Sequence, residues 1–134
     1  MYLSEFSRKI TSLIPAPCVV IYGDDAEQRR EAIAVTRKRL ESRKGEWAIY
    51  KYRSSETDFD EIIRDILTVP LFGEKKAIII EDDASLIGRS RNMLKEFIEN
   101  PPEHACVVIE TSTQKLPPWL EKSERARRII AVDC

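Results

Sequence analysis

Five short apolar runs, separated by stretches of helical periodicity, restrict the fold of this chain more than any other feature. The runs are Cys18-Val19-Val20-Ile21-Tyr22, Trp47-Ala48-Ile49-Tyr50, Ala77-Ile78-Ile79-Ile80, Cys106-Val107-Val108-Ile109 and Ile129-Ile130-Ala131-Val132. A strand that is apolar at consecutive positions must be covered on both faces, as strands of parallel sheets are. Between the runs, residues 3–14 place Leu3, Phe6, Ile10, Leu13 and Ile14 on one helical stripe, which Pro15-Ala16-Pro17 stops. Gly23-Asp24-Asp25 turns into a charged helix over 26–42. Asp58, with Glu61 three residues on, has the pattern of a capping box. The helix it opens, 58–68, carries Phe59, Ile62, Ile63, Ile66 and Leu67 on one face. A further helix carries Met93, Leu94, Phe97 and Ile98 and ends at Asn100-Pro101-Pro102, and the stretch around Trp119-Leu120 reads as polar. The expected fold is α/β, a doubly wound, mostly parallel sheet of five strands. At 134 residues the chain is one ordinary domain, and because its last run is a strand, it reads as a domain cut from something longer.

Composition removes several function classes. No apolar run approaches the ~20 residues that span a bilayer, and residues 1–9 lack the basic-then-apolar order of a signal peptide. The net charge of -1 gives no global basic field for nucleic acid. Cys18, Cys106 and Cys134 form no C-x-x-C pair, and Cys18 and Cys106 open apolar runs, so buried thiols in a reducing cytosol are expected. His104 is the single histidine, which leaves little for a zinc site or a His-based triad; a solvated loop histidine is expected. The dispersed arginines 89, 91, 125, 127 and 128 read as a solvated face, with contact to DNA or a neighbouring subunit as the alternative.

In doubly wound folds ligands bind beyond the carboxyl ends of the strands. The first such turn here runs Gly23-Asp24-Asp25-Ala26-Glu27-Gln28-Arg29-Arg30-Glu31. A phosphate-binding loop needs Gly-Lys-Ser/Thr after four residues, and those places hold Gln28, Arg29 and Arg30. Asp24 and Asp25 occupy the helix N-terminus and would repel a phosphate. No working Walker A and no nucleotide cofactor are expected. Yet Ile80-Glu81-Asp82-Asp83 ends a strand in acids, and Ile109-Glu110-Thr111 ends one at a sensor-like place, so the outline is an ATPase fold without ATPase chemistry. The same acids permit a second reading, a phospho-receiver with Asp24 and Asp25 as the acidic pair, Asp82 as acceptor and Thr111 as switch hydroxyl. That reading lacks its lysine, because the last run is followed by Asp133-Cys134. A nucleotide-binding protein with an unorthodox loop is a third.

Pro70-Leu71-Phe72-Gly73 places two large apolar side chains in a turn, where polar residues are usual. Pro70 fixes one φ angle, and Gly73 permits angles closed to other residues. On the residues alone, the pair either tucks beneath the preceding helix as core or stands out as a binding tip.

With these segments in view, the chain resembles the N-terminal domain of the δ subunits of bacterial DNA polymerase III clamp loaders. The likeness rests on Val19-Val20-Ile21-Tyr22-Gly23-Asp24-Asp25, on Pro70-Leu71-Phe72-Gly73-Glu74-Lys75-Lys76, on Asn100-Pro101-Pro102 before a strand ending in Glu110-Thr111, and on Lys115-Leu116. Three features depart from it: the polar segment 26–31, Pro70 in place of a small polar residue, and the lack of lid and collar domains. The resemblance implies a P-loop-like fold of the AAA+ type that has lost ATP binding and is not catalytic by itself. It implies that Leu71 and Phe72, framed by Pro70 and Gly73, enter a hydrophobic pocket on the sliding β clamp. The clamp would be opened by binding energy, in the cytoplasm. Other loader subunits would be met through domains missing here, and DNA only indirectly.

Overall fold

A computed structural model describes residues 1–53, 55–82, 87–88 and 91–134. Its elements run α1 (Leu3–Arg8), α2 (Ile10–Leu13), β1 (Cys18–Tyr22), α3 (Ala26–Glu41), β2 (Trp47–Arg53), α4 (Phe59–Leu67), β3 (Lys75–Glu81), α5 (Arg91–Glu99), β4 (Ala105–Glu110), α6 (Pro118–Arg125) and β5 (Ile130–Asp133). The strands form one sheet in the order β2-β3-β4-β1-β5, and every pairing is parallel.

The period-2 geometry of a strand sends alternate side chains to opposite faces, and the continuous apolar runs supply both. Cys18, Val20, Ile78, Ile80, Val107 and Ile109 face one core, which α4, α5 and α6 close with Ile62, Ile66, Leu94, Phe97, Ile98 and Leu120. Val19, Ile21, Ala77, Ile79, Cys106 and Val108 face the other, covered by Phe6, Ile14, Ala32 and Leu40. The sheet is therefore doubly wound, as expected. Burial of each large aliphatic side chain contributes about 1.5–3 kcal/mol, so these two layers supply the main driving force.

Helix α3 starts where expected: the Asp25 carboxylate accepts the Gln28 N–H at 3.1 Å. Asp25→Ala should cost about 1 kcal/mol of stability by urea denaturation, the ordinary loss on removing an N-cap.

Strand order decides between two of the sequence readings. Receiver domains follow the flavodoxin-like order 2-1-3-4-5, with β1 next to β2. Here β1 lies between β4 and β5, far from β2, and the phospho-receiver reading is corrected accordingly.

Four smaller expectations also change. The stripe at 3–14 is two short helices, because Lys9 leaves helical geometry at φ -99° and ψ 10°. Strand β2 continues to Arg53, three residues beyond its apolar run; it is an edge strand, where exposed Lys51 and Arg53 are tolerated. The polar stretch at Trp119-Leu120 is the helix α6, started by Pro118 in its first turn. His104 is half-buried rather than solvated, with Nε2 3.0 Å from the Ile66 carbonyl. Cys18 and Cys106 are buried free thiols, as expected, and burial pushes both thiols up in pKa, Cys106 to about 11. Arg91, Arg125, Arg127 and Arg128 are exposed; Arg89, Asp83 and the Phe59 side chain lie outside the described residues.

Candidate functional site

Helix α4 buries Ile62 and Ile66, one turn apart, completely in the core. Leu67 was expected on the same face, but it lies a further 100° round and is 54% exposed. It begins an apolar surface that continues through Val69 at 70%, Leu71 at 94% and Phe72 at 92% exposed. Among the described residues, seven large hydrophobic side chains are exposed, and these four are consecutive or nearly so along the chain. The exposed apolar surface is thus concentrated on one turn. Of the two placements open from the residues, Leu71 and Phe72 take the protruding one.

The turn is short and closed. Gly73 N–H donates to the Pro70 carbonyl at 3.4 Å, and Gly73 has a φ of 75°, in the left-handed region that glycine tolerates. No atom lies within 4 Å of where a Gly73 side chain would begin. The glycine therefore serves the backbone turn and not a close approach.

The end of α4 behind this turn is tied down. The Thr68 hydroxyl donates to the Arg64 carbonyl at 2.7 Å. The Lys76 ammonium donates to the Asp65 carbonyl at 2.9 Å and to its carboxylate at 2.7 Å. The Tyr52 hydroxyl donates to the other carboxylate oxygen of Asp65. Partial burial pushes the Asp65 carboxyl up, but the hydrogen bonds from Lys76 and Tyr52 outweigh this and hold it below the usual carboxylate range. The bond to Asp65, with burial, pushes the Tyr52 phenol up to about 12.

The turn after β1 is occupied by the protein's own groups. Gly23 N–H donates to the Thr113 carbonyl at 2.9 Å, and Asp25 N–H to the Cys134 carbonyl at 3.2 Å. Arg29 folds back over the turn, donating to the Gly23 carbonyl at 2.5 Å, with its Nε 3.4 Å from Glu110. A Cβ on Gly23 would come within 2.4 Å of the Cys134 carbonyl carbon, so this glycine admits the end of β5. Thr111, the sensor-like residue, is buried, with its hydroxyl 3.1 Å from that of Thr113. Among the described residues no cluster of three or more His, Cys, Asp or Glu side chains could hold a metal ion, and no helix is long and apolar enough to cross a membrane. Because all strands are parallel, this turn lies at the carboxyl edge of the sheet, whereas residues 68–74 lead into β3 at the amino edge.

The chain matches the fold of the Bacillus subtilis DNA clamp loader delta protein with a TM-score of 0.72 at 18% identity, over 98% of this chain and 41% of that one. It matches a Thermotoga maritima DNA polymerase III gamma subunit-related protein with a TM-score of 0.59 at 18% identity, over 100% of this chain and 46% of that one. The chain thus spans less than half the length of either structure. No curated protein matches it. The family model for the DNA polymerase III delta subunit matches residues 20–129, a segment that includes the end of β1 and the turn after it, the exposed turn and the whole of β2, β3 and β4. The chain belongs to the DNA polymerase III delta subunit family.

Proposed function

We propose that this chain is the N-terminal, clamp-binding domain of a δ-type clamp-loader subunit, which docks Leu71 and Phe72 in a hydrophobic pocket of the sliding clamp. One observation carries the reading: two large apolar side chains, 94% and 92% exposed, stand on a closed turn. An isolated soluble domain gains nothing from such exposure, and a preformed turn lowers the entropic cost of insertion. Full burial of both side chains would supply on the order of 3–6 kcal/mol gross. Such a domain distorts the ring by binding, in the cytoplasm, and lets other loader subunits hydrolyse ATP. It meets those subunits through domains beyond this segment, and meets DNA only indirectly. Calorimetric titration of the chain with purified sliding clamp should give saturable binding; a flat titration would refute the docking role.

The turn after β1 supports a domain without nucleotide or metal cofactor and without catalysis of its own. Its amides are spent on Thr113 and Cys134 carbonyls, and Arg29 covers it. ATP or GTP with magnesium should therefore leave the melting temperature unchanged. A rise that grows with nucleotide concentration would show a native-state ligand and restore the nucleotide-binding reading.

A further inference from the structure

The last turn of a helix leaves carbonyls without intrahelical partners, and such ends fray unless something takes them. In α4 three consecutive carbonyls are taken: Arg64 by the N–H and the hydroxyl of Thr68, Asp65 by Lys76 with a longer bond from the Thr68 N–H, and Ile66 by the His104 ring. The second of these stands apart, since Lys76 is only 8% exposed and lies in a strand whose next four residues are buried and apolar. A lysine is almost never buried so far unless paired. A buried ion pair is weak support for stability, and apolar residues of similar size often serve the fold as well or better. What the pair provides here is geometry.

Lys76 follows the point where the chain returns from the exposed turn, and Asp65 precedes the point where it leaves. One ammonium group, bound to both the carbonyl and the carboxylate of Asp65, therefore closes the base of residues 68–74. The Tyr52 hydroxyl, from β2, fixes the second carboxylate oxygen and so the rotamer of Asp65. We infer that Asp65 and Lys76 are positioning residues for the Leu71–Phe72 turn, holding the end of α4 against β3 so that the turn meets its partner already ordered. The inference rests on the docking role proposed above.

The test is the double variant Asp65→Asn/Lys76→Met, which removes both charges and leaves neither buried alone. Backbone 15N order parameters of Leu71 and Phe72, near the rigid value of ~0.85 in the wild-type chain, should fall below ~0.6, while those of β1 stay unchanged. Clamp affinity should fall about tenfold, the cost of ordering the turn at the moment of docking. Tyr52→Phe, which strips a single hydrogen bond from Asp65 and leaves the ion pair, should give the same changes in smaller measure, and it serves if the double variant does not fold. Unchanged order of the turn in the folded variants overturns the inference, as does unchanged affinity in a chain that binds the clamp. A wild-type chain that does not bind the clamp overturns the docking role alone, because the order parameters need no partner.

Discussion

Replacing Leu71 and Phe72 together by alanine should weaken binding to the sliding clamp at least about a hundredfold while leaving the melting temperature where it was. Large apolar anchors at the centre of an interface each cost about 2 kcal/mol or more when truncated, and 1.4 kcal/mol is tenfold in affinity. Stability should hold because both side chains are over nine-tenths exposed in the free domain; exposed substitutions generally stay within about 0.5 kcal/mol. Calorimetry against the clamp and a thermal melt of the same sample measure the two quantities. A variant that binds as tightly as wild type would remove these residues from the interface. One that melts early would place them in the core.

The largest expected loss of stability is at Gly23. Its φ of 119° is closed to side-chain-bearing residues, and an added Cβ would meet the Cys134 backbone at 2.4 Å. That backbone cannot withdraw cheaply, because Cys134 N–H donates to the Tyr22 carbonyl at 2.7 Å and its own carbonyl accepts from Asp25. Gly23→Ala combines conformational strain with a backbone clash and should cost roughly 3 kcal/mol. Gly45→Ala is the control: φ is 72°, but nothing lies within 4 Å of the new methyl, so about 1 kcal/mol is expected from the left-handed conformation alone. Urea denaturation of the two variants separates strain from collision. Equal losses would mean that the approach of β5 to Gly23 is not a constraint on the fold.

The parts of this fold legible in the sequence are those where one physical signal dominates. Buried parallel strands must be apolar at every position, so Ile78, Ile79 and Ile80 announced β3 without help from their neighbours. Edge strand β2 does not meet that condition, and its polar continuation from Lys51 to Arg53 carries no continuous apolar run to mark it as strand. Helix α6 has a weak sequence signal because it buries only Leu120 fully, and the Pro117-Pro118 pair marks its start. The turn at 70–73 was visible as an anomaly, yet periodicity cannot tell an apolar pair that tucks inward from one that stands out. The tie between Lys76 and Asp65 was not visible at all. It joins residues eleven apart through a strand and a helix end, and no motif records such a pairing. His104 was likewise invisible as a helix-end partner, since its acceptor is the carbonyl of Ile66, 38 residues away.

The two ends of the sheet differ. At the carboxyl edge, where a nucleotide would bind in related folds, Arg29 donates to the Gly23 carbonyl and the Asp25 N–H to the Cys134 carbonyl. At the amino edge, the apolar turn faces outward on a braced helix.

The most direct test follows Phe72 itself. With 4-fluorophenylalanine at position 72, the 19F resonance of the free chain should report a solvent-exposed ring, and addition of sliding clamp should shift and broaden it as the ring enters the pocket. A clamp that binds the chain without moving that resonance, or that fails to bind at all, would contradict the account.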